Sequence, residues 1–428
     1  MIHVKEYKEP QHNLKSEKFF TPKKLYLPLS QHTGKPSLVC IKPGEIVEEG
    51  QKIAKEAGFI SASLHAPTKG KILNIDIWHH PNLKKQECII MQCEDEQKNY
   101  TPRKDIASLS KKEILEIIKD SGIVGMGGAA FPTQVKLNPP KPIDTLIING
   151  CECEPYLAAD YRLMVENLSQ VFNGVEIICK LIEPKQVIFA VEQNKPDAIK
   201  GINRYINTKK VKLPNPKLII LKSTYPQGGE KQLIHSTSRR KVPPGKLPFD
   251  VGCLVHNVGT CFAIYDAIYL TKPLIERLVS FCGDALKEPK NIWVKIGTPL
   301  QALFDEKILQ FKDEPKKIIC GGPMMGLALD NLEYPILKGT GGFLFLKDLV
   351  EEIIETPCLR CARCVDACPM NLLPLEYVKR VKKEEYKALL DFNIGACMDC
   401  GCCTYECPAK IPIGHYIKVG KDYVPNGK

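Results

Sequence analysis

Cys358-Leu-Arg-Cys361-Ala-Arg-Cys364-Val-Asp-Ala-Cys368-Pro369 is answered further on by Cys397-Met-Asp-Cys400-Gly-Cys402-Cys403-Thr-Tyr-Glu-Cys407-Pro408. Both stretches read C-x2-C-x2-C-x3-C-P. Three thiolates on one tight loop reach three irons of a [4Fe-4S] cubane and leave the fourth iron open, so a further ligand comes from elsewhere. C-x2-C spacing also suits tetrahedral zinc, but zinc takes four ligands and gains nothing from a third cysteine in each loop or from the Cys-Pro ending. Disulfide frameworks belong to small secreted domains, and neither that size nor a signal peptide is expected here. Cys402 is a ninth cysteine that competes with Cys403 for its place, and the x2 spacing selects Cys403.

The doubled run resembles that of bacterial two-cluster ferredoxins, in which the fourth cysteine of each motif ligates the other cluster. That resemblance implies one cubane on Cys358, Cys361, Cys364 and Cys407, and a second on Cys397, Cys400, Cys403 and Cys368. Crossed ligation keeps two clusters close enough to relay electrons. Between the motifs, Val378, Val381, Leu389 and Phe392 fall near one face, so the spacing predicts a helix from Leu375 to Phe392 packed on the cluster domain.

A chain of 428 residues holds about three or four domains. Its 44% apolar and 25% charged residues are ordinary globular composition. No run approaches the ~18 consecutive apolar residues of a membrane span. The net charge of +11 is spread along the chain and suits anionic lipid, an acidic redox partner or nucleic acid. A nucleic-acid role lacks any motif or aromatic-basic stripe. Nineteen cysteines, eight of them in cluster motifs, imply a reducing compartment, read as bacterial cytoplasm.

The first ~100 residues read as short strands and turns. The runs Lys42–Ala54, with turns at Gly44 and Gly50, and Ala62–Ile75, with Ala66-Pro67 and Gly70, resemble the barrel-sandwich domain of biotinyl and lipoyl carriers. Where a carrier presents its modified lysine this chain has Glu56-Ala-Gly-Phe59, which favours a structural or docking role. A helix is expected over Lys111–Asp120, burying Ile114, Leu115, Ile117 and Ile118. Gly122-Ile-Val-Gly125-Met-Gly127-Gly128-Ala-Ala-Phe131-Pro132-Thr133 follows. Such a loop lets main-chain N–H groups approach a phosphate or a flat ring, with Lys136 beyond it as a cation. It is neither a Rossmann fingerprint nor a P-loop, and a tight turn between core elements reads equally well from these residues alone.

A strand expected over Asp144–Asn149 leads into Gly150-Cys151-Glu152-Cys153-Glu154-Pro155-Tyr156. Later come Tyr225-Pro-Gln-Gly228-Gly229-Glu230-Lys231-Gln232, His256-Asn257-Val-Gly259-Thr260 and Gly321-Gly-Pro323-Met-Met-Gly326. With the glycine-rich loop, these segments resemble the flavin- and NADH-binding core of the flavoprotein subunit of respiratory complex I. Their wording is closer still to the RnfC family, the C-type subunits of the Rnf electron-transport complex, and the resemblance spans nearly the whole chain. It implies a multidomain α/β protein: a barrel-sandwich domain at 1–100, an FMN- and NADH-binding α/β core at 101–265, a β-grasp domain at 266–346, and a helical two-[4Fe-4S] ferredoxin-like domain with tail at 347–428.

Carried over position by position, the resemblance sets Gly125, Gly127, Gly128, Lys136, Asn149, Glu152, Tyr225, Gly228, Asn257 and Thr260 around FMN. Phe131 and Glu230 fall on the nicotinamide side, and Glu152 and Glu230 are the implied catalytic acids. From the residues alone, Tyr225 also reads as a core aromatic, Glu152 as a helix cap and Lys136 as a solvated charge. Cys151 replaces an acid of the complex I pattern, and Gly229 replaces the first of two glutamates. The strand expected at Asn291–Ile296, and Phe343–Leu346 beyond it, complete the chain before the clusters.

Hydride carries two electrons together whereas a cubane accepts one, and a flavin joins the two kinds of chemistry. The resemblance therefore implies an NADH-side subunit with FMN, NAD(H) and two [4Fe-4S] clusters. It would sit peripherally at the cytoplasmic face of the bacterial inner membrane on integral subunits, with ferredoxin or flavodoxin as the partner of the whole complex. Three other readings stay open: a flavin and iron-sulfur cobalamin reductase of microcompartments, the A-type subunit of the sodium-pumping NADH:quinone reductase, which lacks the cluster motifs, and a non-enzymatic iron-sulfur electron-transfer scaffold.

Overall fold

The computed structural model describes residues 1–19, 21–94, 98–208, 212–348 and 354–424. Residues 349–353 and 425–428 of the expected cluster domain therefore lie outside the described residues. Four bodies are built in chain order, with one crossing at the start. Residues 1–19, read from sequence as part of the barrel-sandwich domain, lie against later bodies instead. Ile2 forms a bridge with Tyr225, and the strand Glu17–Lys18 pairs in parallel with Lys290–Lys295.

The barrel-sandwich body stacks two small sheets. One has the order Lys24–Pro28, Lys84–Cys93, Gly70–His80, Ile46–Val47; the other runs Leu38–Val39, Lys52–Lys55, Leu64–His65. Leu25, Val47, Ile53, Leu64, Ile72 and Ile89 fill the space between them. Alternation along these strands gives each sheet one apolar face to bury. Phe59, at the place of a carrier's modified lysine, stands in solvent.

The helix Lys111–Asp120 opens the second body. Ser110 and Glu113 form a reciprocal capping box, and Ile114 and Ile118 are fully buried. Its sheet is all parallel, in the order Pro216–Leu221, Gln186–Glu192, Thr145–Gly150, Cys253–Asn257. The inner strands Thr-Leu-Ile-Ile-Asn-Gly and Gln-Val-Ile-Phe-Ala-Val-Glu are covered on both faces by helices, which is why they read as unbroken apolar runs. The edge strand is half exposed. Strand order reverses beside Thr145–Gly150, and in open α/β sheets that is where the carboxyl ends leave a crevice for a ligand. The last helix, Val258–Leu270, runs unbroken across residue 266, where the sequence reading divided two domains; the next strand starts at Glu276.

The third body is a six-stranded mixed sheet, in the order Glu17–Lys18, Lys290–Lys295, Glu276–Cys282, Gly342–Leu346, Lys317–Cys320, Leu327–Leu329. Its core holds Phe281, Phe343 and Phe345 against Leu300 and Leu303 of the helix Leu300–Asp305.

The fourth body is helical. The single helix expected over Leu375–Phe392 is in fact Pro374–Lys382, a turn with Glu384 at φ +58°, and a 3-10 segment at Tyr386–Leu389. Lys382-Lys383-Glu384-Glu385 offers no apolar group to carry the buried stripe onward, so the chain turns. Leu389 then reaches the core, and the Tyr377 hydroxyl donates to the Phe392 carbonyl at 2.6 Å. Among the described residues no helix is long and apolar enough to cross a membrane.

Candidate functional site

The segments singled out from sequence meet at the carboxyl end of the parallel sheet. The glycine-rich loop is closed at its base, where Val124 bridges Pro132 and the Gly125 N–H donates to the Phe131 carbonyl at 2.8 Å. The Met126 N–H donates to Thr260 Oγ1 at 3.0 Å, tying the loop to the helix after Asn257. Asn257 caps that helix by accepting from the Gly259 N–H at 2.8 Å, and its amide donates to Asp160 at 2.6 Å. A Cβ at Gly127 would stand 3.0 Å from Asn257, while one at Gly128 would meet nothing within 4 Å. The loop tip thus borders open space.

From the other side, Asn149 donates to the Gly228 carbonyl at 2.9 Å and accepts from the Cys151 N–H at 3.1 Å. Lys136 pairs with Glu230 at 2.7 Å, so two residues assigned separately, to phosphate and to nicotinamide, sit together. Several buried polar atoms lack a partner: His256 Nε2, Thr133 Oγ1, Tyr225 Oη and Gln232 Oε1. Burial, with the Lys136 charge beside it, holds His256 well below its ordinary value and therefore neutral. The unfilled groups of Thr133, at the end of the glycine-rich loop, and of His256, next to Asn257, fit a polar, phosphate-bearing ring compound.

Glu152 and Tyr225 take the places that the residues alone suggested, a helix cap and a core aromatic, and not the roles that the resemblance implied. Glu152, expected as a catalytic acid, accepts from the Asp160 and Tyr161 N–H groups at 2.8 and 3.1 Å. Each carboxylate oxygen thus accepts one bond from the first turn of the helix Ala159–Glu166. Tyr225 is a buried aromatic, packed with Ile2, Cys400 and Cys402 and away from the loop tip. Cys151 turns into the core with Ile147, Ile188 and Leu233, and burial raises its thiol far above the ordinary value.

Residues without a sequence signal complete the site. Asp160 anchors Asn257, and burial, then the nearby Glu152, pushes its carboxyl up to about 7. Buried Lys8 reaches from the N-terminal strap to the Glu152 carbonyl. Glu154 accepts from the Met324 and Met325 N–H groups at 3.2 and 2.9 Å, joining two motifs that the sequence showed only separately.

The cysteines of the fourth body fall into two sets. Burial raises the Cys364 thiol, and Cys407, Cys358 and Cys361 add to the effect; burial pushes Cys403 up to about 12, with Cys397, Cys400 and Cys368 contributing. Each thiol's cysteine neighbours are thus members of the same expected foursome. A cavity of about 350 Å³ is lined by Cys368, Cys397, Cys400 and Cys403, and an open cleft of about 990 Å³ by Cys358 and Cys364. Six of the eight motif thiols line these two spaces, four around the first and two around the second, and thiols gathered in this way are a donor type that fits iron-sulfur clusters. Cys402 also lines the first of these spaces; it is fully buried, 3.9 Å from the Tyr225 carbonyl.

The two sites touch. A Cβ on Gly229 would lie 2.7 Å from the Met398 methyl, between Cys397 and Cys400. A larger residue there would have to displace the ends of the Met398 and Gln232 side chains. Gln232 donates to Met370 Sδ at 3.0 Å, just past Cys368. The other cysteine set is turned outward, with Cys358, Leu359 and Cys361 exposed.

Three families match successive parts of the chain. Residues 2–115 match the family described as the RnfC barrel sandwich hybrid domain, 118–266 the Nuo51 FMN-binding domain, and 357–411 a 4Fe-4S dicluster domain. FMN and [4Fe-4S] clusters are thus the cofactors of these domains. The C-type subunit of the proton-translocating ferredoxin:NAD(+) oxidoreductase complex of Clostridium ljungdahlii is 46% identical over 82% of this chain and 77% of its own length. Its counterpart in the ion-translocating oxidoreductase complex of Pseudomonas aeruginosa is 37% identical over 92% of this chain, and that of Rhodobacter capsulatus 36% over 89%. The alignments take in 74% of the Rhodobacter protein and 51% of the Pseudomonas one, about half its length. A crystal structure of an NAD+-reducing [NiFe]-hydrogenase shares the fold, with a TM-score of 0.51 at 18% identity over 76% of this chain and 67% of its own.

Proposed function

The chain belongs to the RnfC family, the C-type subunits of ion-translocating oxidoreductase complexes, and from that premise we propose that it passes electrons between NAD(H), FMN and two [4Fe-4S] clusters. The observation that carries this is the contact at Gly229, where the flavin-side loop meets the Cys397–Cys400 loop through the Met398 side chain alone. FMN, when bound, exchanges a hydride's two electrons together with NAD(H) and one at a time with the clusters.

The chain's own groups set the conditions for that exchange. The N–H groups of Gly127 and Gly128 border the open cradle, and Asn149, Asn257 and Thr260 fix its walls. Lys136 supplies a cation for a phosphate, and its pairing with Glu230 holds both side chains at the mouth. Asp160 keeps the Asn257 amide turned so that its oxygen caps the following helix. Cys397, Cys400, Cys403 and Cys368 would hold the cluster on the flavin side, and Cys358, Cys361, Cys364 and Cys407 the outer one. Exposure of Cys358 and Cys361 favours the outer cluster as the exchange point with a partner.

At the level of the complex, the reading has integral membrane subunits as docking partners and ferredoxin or flavodoxin as the far redox partner. The protein sits on the cytoplasmic face, and ion movement is coupled through its neighbours. The test is anaerobic reconstitution with iron, sulfide and FMN, then stopped-flow absorbance after NADH is added. Flavin absorbance should fall first and the broad iron-sulfur absorbance after it, with about eight irons per chain. Clusters that form on a chain which loses FMN and ignores NADH would sink the reading.

A further inference from the structure

Lys338 comes from the third body, four residues before the strand Gly342–Leu346, and its side chain is 1% exposed. Its Nζ donates to two main-chain carbonyls in two other bodies: Ser63 of the barrel-sandwich at 2.6 Å and Gly122 of the flavin core at 2.7 Å. The backbone of Lys338 is held as well. Its N–H donates to Gln31 Oε1 at 3.1 Å, and its carbonyl accepts from Arg277. Buried lysines ordinarily have a carboxylate partner. Among the described residues none faces this one; His32 and His65 stand near it, and its charge helps keep both neutral.

Gly122 is the first residue of the glycine-rich loop. Its φ is +62°, and a Cβ there would lie 2.2 Å from the Ser63 carbonyl and 2.7 Å from Lys338 Nζ. The chain then runs through Val124, the Gly125 to Phe131 bond and the Met126 to Thr260 bond before reaching the open tip. Whatever holds Gly122 sets the base from which that tip projects.

We propose that Lys338 is the positioning residue of the glycine-rich loop, clamping Gly122 to Ser63 so that Gly125 to Gly128 face the flavin at a fixed angle. The clamp makes flavin affinity depend on the packing of all three bodies. Burial brings the Lys338 ammonium down to about 7, and the neutral amine still carries two N–H donors for its two carbonyls. The proposal rests on the reading that this loop holds FMN.

The test uses the full chain, reconstituted anaerobically, as wild type, Lys338→Met, Lys338→Arg and Gln31→Ala. FMN is titrated by fluorescence, and amide hydrogen exchange is followed across residues 122–131 without FMN. Lys338→Met is expected to weaken FMN binding about tenfold or more and to speed exchange at Gly125 and Met126, since two buried carbonyls lose their donor. Lys338→Arg, which keeps donors, restores binding to within about threefold. Gln31→Ala touches the Lys338 backbone but not the loop, and leaves both readouts near wild type. Wild-type exchange and affinity in Lys338→Met would overturn the proposal, as would equal losses in Gln31→Ala. A wild type that binds no FMN would sink the flavin reading alone, and faster exchange in Lys338→Met would still support the clamp.

Discussion

Replacing Lys338 with methionine should change stability with opposite sign on the two sides of pH 8. An unfolded lysine titrates near 10.5, whereas burial at the three-body junction brings this one to about 7. Between about pH 7 and 10.5 folding must therefore strip a proton that the unfolded chain would keep, and below about pH 7 it buries the charged ammonium. At about 1.36 kcal/mol per pH unit, the gap from 10.5 to about 7 costs the fold about 5 kcal/mol. That cost is complete below pH ~7, falls to about 1.4 kcal/mol by pH ~9.5, and vanishes above 10.5. Methionine removes the cost but leaves the Ser63 and Gly122 carbonyls without donors, a loss of about 1–3 kcal/mol each. At pH 6.5 the variant should match or exceed wild type; at pH 9.5 it should fall below it by a few kcal/mol. Thermal unfolding midpoints of both proteins, measured by circular dichroism at pH 6.5, 8 and 9.5, give the comparison. Groups common to both chains cancel in the difference. A difference that stays constant across this range, or that favours methionine increasingly as pH rises, would refute the argument.

The crossed cysteine sets predict that Cys407→Ala, in the second motif, abolishes the outer cluster, and that Cys368→Ala, in the first, abolishes the inner one. Each variant should hold about four irons in place of about eight, and electron paramagnetic resonance of the reduced proteins should show a different surviving signal in each. Gly229→Glu restores the complex I side chain and thrusts it against Met398. NADH should still bleach the flavin while cluster reduction slows about tenfold or more, and stopped-flow traces with unchanged cluster reduction would count against the contact as the route. Gly128→Ala puts a methyl into open space, so the melting temperature should stay within about 2 °C of wild type while FMN affinity drops about tenfold, measured by fluorescence titration. Unchanged affinity would place the flavin elsewhere.

Much of this molecule is legible in its sequence because some features are dictated locally. Iron-ligand spacing is a covalent constraint, so Cys358 to Cys407 announces two clusters without any fold. Ser110 and Glu113 mark the start of the helix at Lys111, and strands covered on both faces, such as Thr145–Gly150, show as unbroken apolar runs. What stayed hidden depends on distant partners. A buried lysine looks like any surface lysine, so neither Lys338 nor Lys8 carried a signal. The residues alone already allowed Glu152 as a helix cap, and only the resemblance made it catalytic; which helix it caps, one that begins seven residues later, needed the fold. The break after Lys382 was masked because Leu389 and Phe392 continue the apolar count while the charged residues between them interrupt the stripe.

The placement of residues 1–19 also bears on the order in which the chain can fold. Ile2 waits for Tyr225, Lys8 for Glu152, and Glu17–Lys18 for the strand at Lys290–Lys295, a sequence separation of more than 270 residues at the last pairing. These residues are translated ahead of every partner they will have. Strict N-to-C vectorial folding on the ribosome is thus closed to this protein, because the segment made earliest settles among the last. Until then Ile2 and Phe19, buried in the finished fold, stay open to other chains, and early handling by chaperones should matter more for this segment than for the barrel-sandwich body, whose partners are local.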